Sequence, residues 1–173
     1  GMERPVVVYN LLSWARTAWV NLAEKWIRVT VPSMGYTTVD MAGGQEAQCS
    51  VAATEDRLEN ELLCVQFDEE GAIVSVYDKV LSREVIPPGQ QGNRLAVYGD
   101  LGDAWDFPMD YAESAPRHME LVSAVPEVKG PRATIQQVYR LGHSELVQEI
   151  ALDAGSRALV FRSRARWRET ASM

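Results

Sequence analysis

Apolar side chains recur at every second position in several short runs of this sequence, and this pattern constrains the fold more than any other feature. In the run LENELLCVQFD, single residues separate Leu63, Val65 and Phe67. A period of two is typical of a β-strand with one buried face. A turn-forming sequence that includes Gly71 follows, and Ala72–Tyr77 then alternates again. We therefore predict a β-hairpin in which Gly71 adopts a positive φ.

The same pattern extends along most of the chain. Turn-forming glycines and prolines separate the runs, whereas helical spacing is scarce: Leu12–Trp26 favours strand or irregular structure. A chain of 173 residues without internal repeat or linker fits one domain. We predict an all-β fold, an antiparallel β-sandwich over residues 2–173. The other predicted strands are Val6–Tyr9, Ile27–Val31, Gln48–Ala52, Leu95–Tyr98, Met119–Val125, Ala133–Leu141, Glu145–Leu152 and Ala158–Trp167.

The last predicted strand carries Arg162, Arg164 and Arg166 at alternate positions, so these arginines share one face. Phe161 and Trp167 lie on the opposite face, which we expect to be packed inward. An arginine face is compatible with nucleic-acid binding, but the chain has 24 acidic and 17 basic residues and a net charge of -7. We therefore expect this face to be solvated or paired with carboxylates, and we expect no nucleic-acid partner.

Composition excludes several classes of protein. No run approaches the roughly 20 apolar residues of a membrane-spanning helix, and no apolar leader opens the chain, so we expect a cytoplasmic protein without a membrane partner. Two cysteines, Cys49 and Cys64, are too few for a disulfide framework. The two histidines, His118 and His143, have no paired cysteine at metal-ligand spacing. We expect no metal or other cofactor in this chain.

The segment YGDLGDAWDFPMDYAE, residues 98–113, interleaves carboxylates with aromatic side chains. Aromatic rings stack on the C–H faces of sugars, and carboxylates accept hydrogen bonds from sugar hydroxyls. Asp103, Trp105 and Asp106 are therefore the candidate sugar-binding residues. The alternative is a loop whose aromatic residues plug the end of the sandwich while its carboxylates are solvated. The Asp spacing does not match an EF-hand.

Residue chemistry alone indicates no active site. The sequence has no glycine-rich phosphate loop and no Gly-x-Ser-x-Gly, and no Ser or Cys stands out with a partnered base. Paired carboxylates occur, but no pair is distinguished as acid and nucleophile.

Several motifs together resemble the C-terminal β-domain of the α-mannosidases of glycoside hydrolase family 38. The closest resemblance is the hairpin LENELLCVQFDEEGAIVSVYDKVLSREV, residues 58–85. Their order and spacing make the resemblance specific, although Leu11 stands where the family usually has Pro. The other motifs are VVYNLLSWART (7–17), VPSMGYTTV (31–39), Asn93–Leu95, GDAWD (102–106) and RSRARWRE (162–169).

The resemblance implies a mutarotase-like β-sandwich within a multidomain retaining enzyme that cleaves α-mannosides. In that family an upstream barrel carries the aspartate nucleophile and a zinc ion, and no catalytic residue or metal ligand maps onto this chain. The chain ends a few residues after a strand, so we expect a truncated piece of the larger fold. We expect the isolated chain to be inactive and to have the parent catalytic barrel and mannoside carbohydrate as partners. Unpaired sheet edges would favour a homodimer.

Three functions remain open from the sequence. The first is a non-catalytic β-domain that supports the catalytic barrel and contributes sugar contacts. The second is an independent carbohydrate-binding module. The third is a mutarotase-like enzyme, which would require an acid–base pair that two distant histidines do not supply.

Overall fold

A computed structural model of the chain describes residues 5–40, 50–100, 110–170 and 172. These residues form antiparallel sheets, and their only helical element is a 3-10 turn at Tyr111–Glu113. The predicted all-β sandwich is confirmed. Within the described ranges, no helix has the length and hydropathy needed to cross a bilayer. The strands are β1 (Pro5–Asn10), β2 (Arg16–Leu22), β3 (Lys25–Val31), β4 (Gly35–Asp40), β5 (Ala52–Thr54), β6 (Arg57–Glu59), β7 (Leu63–Phe67), β8 (Ile73–Asp78), β9 (Arg83–Glu84), β10 (Ala96–Val97), β11 (Arg117–His118), β12 (Glu120–Lys129), β13 (Arg132–Leu141), β14 (Ser144–Asp153) and β15 (Leu159–Arg166).

The chain divides into two compact units, one within Gly1–Ser50 together with Lys129–Pro131 and one within Val51–Val128 and Arg132–Met173. In the first unit, β1 pairs with β4 and β2 pairs with β3, both antiparallel. Side chains of β1 alternate between exposed and half-buried from Pro5 to Tyr9, and Asn10 at the end of the strand is buried.

Asn10 organises the end of β1 in the first unit. Its side chain is buried, and its Nδ2 donates hydrogen bonds to the carbonyl oxygens of Trp14 at 2.7 Å and Pro32 at 2.9 Å. Its Oδ1 accepts a hydrogen bond from the backbone amide of Leu12 at 3.1 Å. The asparagine therefore holds the segment that leaves β1 against the segment that follows β3.

The β2–β3 hairpin turns at Ala23 and Glu24, which have φ values of 50° and 69°. Two consecutive positive φ values are typical of a type I′ turn, which usually contains Asn or Gly. The region Leu12–Trp26 is strand or irregular structure as predicted, irregular up to residue 15 and then β2 and the start of β3. Neither Ala23 nor Glu24 is a residue type that indicates where the hairpin reverses.

In the second unit, β5 to β9 form a five-stranded sheet in sequence order and β12 to β15 form a four-stranded sheet. Buried side chains from both sheets pack into one cluster that includes Leu58, Val65, Ile135 and Ile150. The predicted β7–β8 hairpin is confirmed, with Gly71 at a φ of 79°. The run LENELLCVQFD is two strands rather than one, because the chain turns between β6 and β7.

The inward face of the β13–β14 pair contains a polar layer. Gln137 lies opposite Gln148, and both side chains are at least 95% buried. Along the two strands, pairs of facing apolar residues lie on one side of the two glutamines, and the facing pair of Tyr139 and Leu146 lies on the other side. The polar layer therefore separates the large apolar cluster from a smaller one, which contains Val97, Met119 and Tyr139.

Strand β15 lies last in its sheet. Arg162 lies opposite Glu149, and the two form an ion pair at 3.7 Å, which confirms a carboxylate-paired arginine. The expectation of a packed opposite face is wrong, because Phe161 is 41% exposed and Trp167 is 40% exposed. The physical reason is that alternation shows which side chains share a face, whereas these exposures show that the described residues place no packing layer over Phe161 and Trp167.

Candidate functional site

The candidate sugar-binding residues Asp103, Trp105 and Asp106 lie outside the described residues. The structure describes the two ends of their loop. Strand β10 pairs antiparallel with β11, with Ala96 opposite His118 and Val97 opposite Arg117. The segment that contains the candidate residues is therefore the connection between two paired strands.

Two aromatic rings that flank the candidate residues along the chain are in contact. The rings of Tyr98 and Tyr111 pack edge to face, with centroids 5.1 Å apart and planes at 88°. This is a favoured geometry for aromatic pairs. Tyr111 begins the 3-10 turn, and its carbonyl oxygen accepts a hydrogen bond from the hydroxyl of Ser114 at 2.6 Å.

Ser172 pairs with the backbone near the start of the same connection. It forms an isolated antiparallel bridge with Gly99, and its hydroxyl accepts a hydrogen bond from Arg117 Nη2 at 2.9 Å. Its carbonyl oxygen accepts a hydrogen bond from Trp167 Nε1 at 3.2 Å. Nearby in β11, the Nδ1 atom of His118 is buried and has no hydrogen-bond partner among the described residues.

Asn60 in the LEN motif forms four hydrogen bonds through its side chain. Its Oδ1 accepts hydrogen bonds from the backbone amides of Leu62 at 2.8 Å and Leu63 at 2.7 Å. Its Nδ2 donates to the carbonyl oxygens of Asp153 and Ser156, both at 2.8 Å. All of its hydrogen bonds go to backbone groups, so its role is to hold two turns together. No sequence pattern marks Asn60 as a functional residue; its signal in the sequence is a polar residue two positions after Leu58.

Asp78 and Lys79 are also structural. Asp78 Oδ1 accepts hydrogen bonds from the amides of the next turn, and its Oδ2 pairs with Arg157 at 2.5 Å. The hydrogen bond from Arg157 and those from the turn amides hold the pKa of Asp78 below its usual value.

Lys79 Nζ donates to the carbonyl oxygen of Asn60 at 2.6 Å and pairs with Glu59 at 2.5 Å. The Lys79 contact lowers the pKa of Glu59, with a further contribution from Arg57.

Two further motif glutamates accept backbone amides. Glu84 accepts hydrogen bonds from the Ser75 hydroxyl at 2.6 Å and the Val76 amide at 2.7 Å. Burial acts to raise the pKa of Glu84, but these hydrogen bonds outweigh it and the net shift is downward.

Glu169 Oε1 accepts hydrogen bonds from the His143 amide at 2.9 Å and the Ser144 hydroxyl at 3.1 Å. The bond from the His143 amide is the main cause of the lowered pKa of Glu169.

The polar layer of the core is closed around the carbonyl oxygen of Gly71. Gln137 Nε2 donates to this oxygen at 3.2 Å, and the Tyr139 hydroxyl lies 2.8 Å from Gln137 Oε1. Burial and the charge of Asp68 raise the pKa of Tyr139 to about 12. Gln148 accepts a hydrogen bond from Asn93 at 2.7 Å. The sequence of β13 indicates this layer, because alternate residues of a strand share one face and Gln137 is therefore on the same face as Ile135.

The described residues do not fit a zinc site. Across residues 5–40, 50–100, 110–170 and 172, no group of three or more His, Cys, Asp or Glu side chains is arranged to hold a metal ion. The carboxylates of the motifs accept hydrogen bonds or pair with basic side chains instead, as Asp78 and Glu84 do.

Comparison with known proteins identifies the family of the chain. Residues 58–173 match the family model of the glycosyl hydrolases family 38 C-terminal domain. Two curated relatives are the alpha-mannosidase 2C1 of Mus musculus and that of Homo sapiens, each 28% identical over 190 residues. The alignments cover 95% of this chain but 18% of each relative, so the chain spans less than a fifth of their length. The match confirms the resemblance, and the chain belongs to the glycosyl hydrolases family 38 C-terminal domain family.

Proposed function

We propose that this chain is a non-catalytic β-sandwich domain of a retaining α-mannosidase and that it supports the catalytic domain of that enzyme. The observation that carries the proposal is what the polar side chains of the family motifs bind. Asn60, Asp78, Glu84 and Glu169 direct their polar atoms to backbone amides, carbonyl oxygens or an arginine. Side chains committed in this way stabilise turns and are poor candidates for a nucleophile or a general acid.

Under this proposal the nucleophile and the zinc ion belong to another domain of the full-length enzyme. The names of the two relatives support the substrate class, since both are alpha-mannosidases. Their length supports the need for a further domain, because the alignment covers only 18% of each relative.

Asp103, Trp105 and Asp106 are proposed to contact the sugar from the edge of the sandwich. Support comes from the stem of their loop: the β10–β11 pairing and the contact between Tyr98 and Tyr111 bring the two ends together. Long connections between paired strands commonly carry binding residues. In the full-length enzyme, Trp105→Ala should lower mannosidase activity while leaving the stability of the isolated chain nearly unchanged. A loss of about 3–5 kcal/mol in the isolated chain, the usual cost for a core aromatic residue, would instead assign Trp105 to the core.

The activity test compares the isolated chain with the full-length enzyme on 4-nitrophenyl α-mannoside, with and without added zinc. We expect nitrophenol release from the full-length enzyme alone. Zinc-dependent release by the isolated chain, abolished by a substitution in this chain, would contradict the proposal. Calorimetric titration with methyl α-mannoside tests the alternative of an independent carbohydrate-binding module, which should bind the sugar without the rest of the enzyme.

A cytoplasmic location and a homodimer stay predictions. Cell fractionation tests the first, and light scattering of the purified chain tests the second.

A further inference from the structure

The first unit exposes a cluster of large apolar side chains at one end of the β1–β4 pair. Tyr9 lies directly opposite Tyr36, and their ring centroids are 5.9 Å apart. The five side chains of this apolar end are each more than half exposed: Tyr9 68%, Leu11 81%, Trp14 59%, Met34 70% and Tyr36 63%. Single exposed apolar residues are ordinary, but several large ones grouped at one end of a strand pair, two of them in ring contact, are typical of an interaction surface.

Local hydrogen bonds fix the shape of the apolar end. The Met34 amide donates to the Leu12 carbonyl oxygen at 2.9 Å, which ties the two strand ends together. The buried Asn10 side chain donates to the Trp14 carbonyl oxygen at 2.7 Å. The backbone that presents these side chains is therefore held in place, which lowers the entropy lost on docking.

The two chain segments that form the apolar end contain no charged residue. Residues 5–14 and 29–39 contain no Asp, Glu, Lys or Arg, although 24% of the chain is charged. A depletion of charged residues with aromatic residues and Met present is typical of the centre of a protein–protein interface. The aliphatic side chains of Leu11 and Met34, the two most exposed of the five, favour protein over sugar as the occupant.

We propose that the apolar end docks against an uncharged apolar surface on another domain of the same polypeptide. This inference rests on the proposed function, in which the chain is one domain of a longer α-mannosidase. More than four fifths of each curated relative lies outside the alignment, which is the length available to cover the surface.

The size of the apolar end favours a partner in the same polypeptide over a second copy of the chain. Aromatic side chains bury about 150–250 Å² each, so five large side chains at these exposures offer on the order of 500 Å². A stable complex between separate proteins buries about 800 Å² on each partner. A tethered domain has a high effective concentration, so a smaller surface is sufficient.

Hydroxyl-radical footprinting tests the proposal with the native side chains. The labelling of Tyr9, Trp14, Met34 and Tyr36 is compared in the isolated chain and in the full-length polypeptide, with buried Tyr139 as the unreactive reference. We expect strong labelling in the isolated chain and a loss of labelling toward the level of Tyr139 in the full-length polypeptide. Equal labelling in the two proteins would overturn the proposal.

Two other outcomes would also overturn it. Protection in the isolated chain that disappears on dilution would assign the surface to a second copy. Protection of the isolated chain by methyl α-mannoside would assign it to sugar. Mannosidase activity of the same full-length sample is measured in parallel, so an inactive enzyme with protected residues would reject the proposed function and keep the docking surface.

A pair of substitutions supplies an independent readout. Leu11→Lys with Met34→Lys should lower the melting temperature of the full-length polypeptide but leave that of the isolated chain unchanged. The matched control is Val122→Lys with Val125→Lys, since both valines are exposed in β12. Equal effects of the two pairs on the full-length polypeptide would contradict docking at the apolar end.

Discussion

The side-chain amide of Asn60 donates a hydrogen bond of 2.8 Å to the backbone carbonyl oxygen of Asp153, 93 residues further along the chain. Asn60 lies in the turn between β6 and β7, and Asp153 ends β14, so the bond joins the two sheets. The carboxylate of Asp153 in turn binds the guanidinium of Arg132 through two hydrogen bonds, at 2.6 and 2.8 Å. Asn60 therefore shapes its own turn and also holds the two sheets of the sandwich together.

Replacing Asn60 should be strongly destabilising. Asn60→Ala removes four hydrogen bonds to backbone groups and leaves several of those groups buried without partners. We expect a loss of about 3 kcal/mol in the free energy of unfolding, measured by urea denaturation of the isolated chain. The control is Gln90→Ala, an exposed position, which should change the value by less than about 0.5 kcal/mol. A loss for Asn60→Ala as small as that of the control would contradict this role.

Gly71→Ala should cost more stability than the same change at Gly89. Both glycines have a positive φ, 79° and 77°, so both substitutions carry the same backbone strain of about 1–2 kcal/mol. A Cβ at Gly71 would lie 2.3 Å from the Tyr139 hydroxyl oxygen, whereas one at Gly89 has nothing within 4 Å. The difference between the two unfolding free energies measures the steric contacts of the new Cβ with Tyr139 and with Gln137 Nε2, which would lie 2.9 Å away. Tyr139→Phe, which removes that oxygen, should recover part of the loss at Gly71, and no recovery would argue against the contact.

Asp78 should contribute to acid unfolding. Because its pKa is lowered in the folded protein, its carboxylate form stabilises the fold. That contribution is complete above the unfolded pKa of about 3.9 and is lost as the pH falls through the folded value. We expect the unfolding free energy of Asp78→Asn to decline less steeply than that of the unsubstituted chain below about pH 4. Glu61→Gln, at an exposed position, is the control and should leave the slope unchanged; parallel curves for Asp78→Asn and the unsubstituted chain would refute the prediction.

The β2–β3 turn offers a stabilising substitution. Glu24 has a φ of 69°, and glycine adopts this conformation without strain. Glu24→Gly should raise the free energy of unfolding by about 1 kcal/mol. Glu55, in the β5–β6 turn, does not have a positive φ, so Glu55→Gly should be neutral or destabilising. Thermal unfolding of both variants measures the contrast, and equal shifts would show that strain at Glu24 is negligible.

Alternation of apolar side chains with a period of two was sufficient to predict the β7–β8 hairpin and the strands β13, β14 and β15. Leu63, Val65 and Phe67 all lie in the core, and Gly71 adopts the predicted positive φ. The hairpin turn at Ala23 was invisible in the sequence, because neither it nor its neighbour is a residue that favours positive φ. The packed face predicted for β15 was wrong, because alternation shows which side chains share a face but not whether another layer covers that face.

The candidate site, too, could be predicted from the sequence only in part. The motifs identified the family from the sequence, yet the residues proposed for sugar, Asp103, Trp105 and Asp106, lie outside the described residues and stay a prediction. The structural roles of Asn60 and Glu169 depend on partners that are distant along the chain, Asp153 and His143 respectively. Spacing along a sequence does not report such contacts.

The sequence by itself determined the all-β class, the β7–β8 hairpin and the family, since each depends on local alternation or on ordered motifs. Only the tertiary structure decided what the motif side chains do. A buried amide or carboxylate must find hydrogen-bond partners once water is excluded, and the fold supplies them from distant turns. Asn60 became a link between sheets, and Gln137 became part of a buried polar layer, because the two sheets close over them.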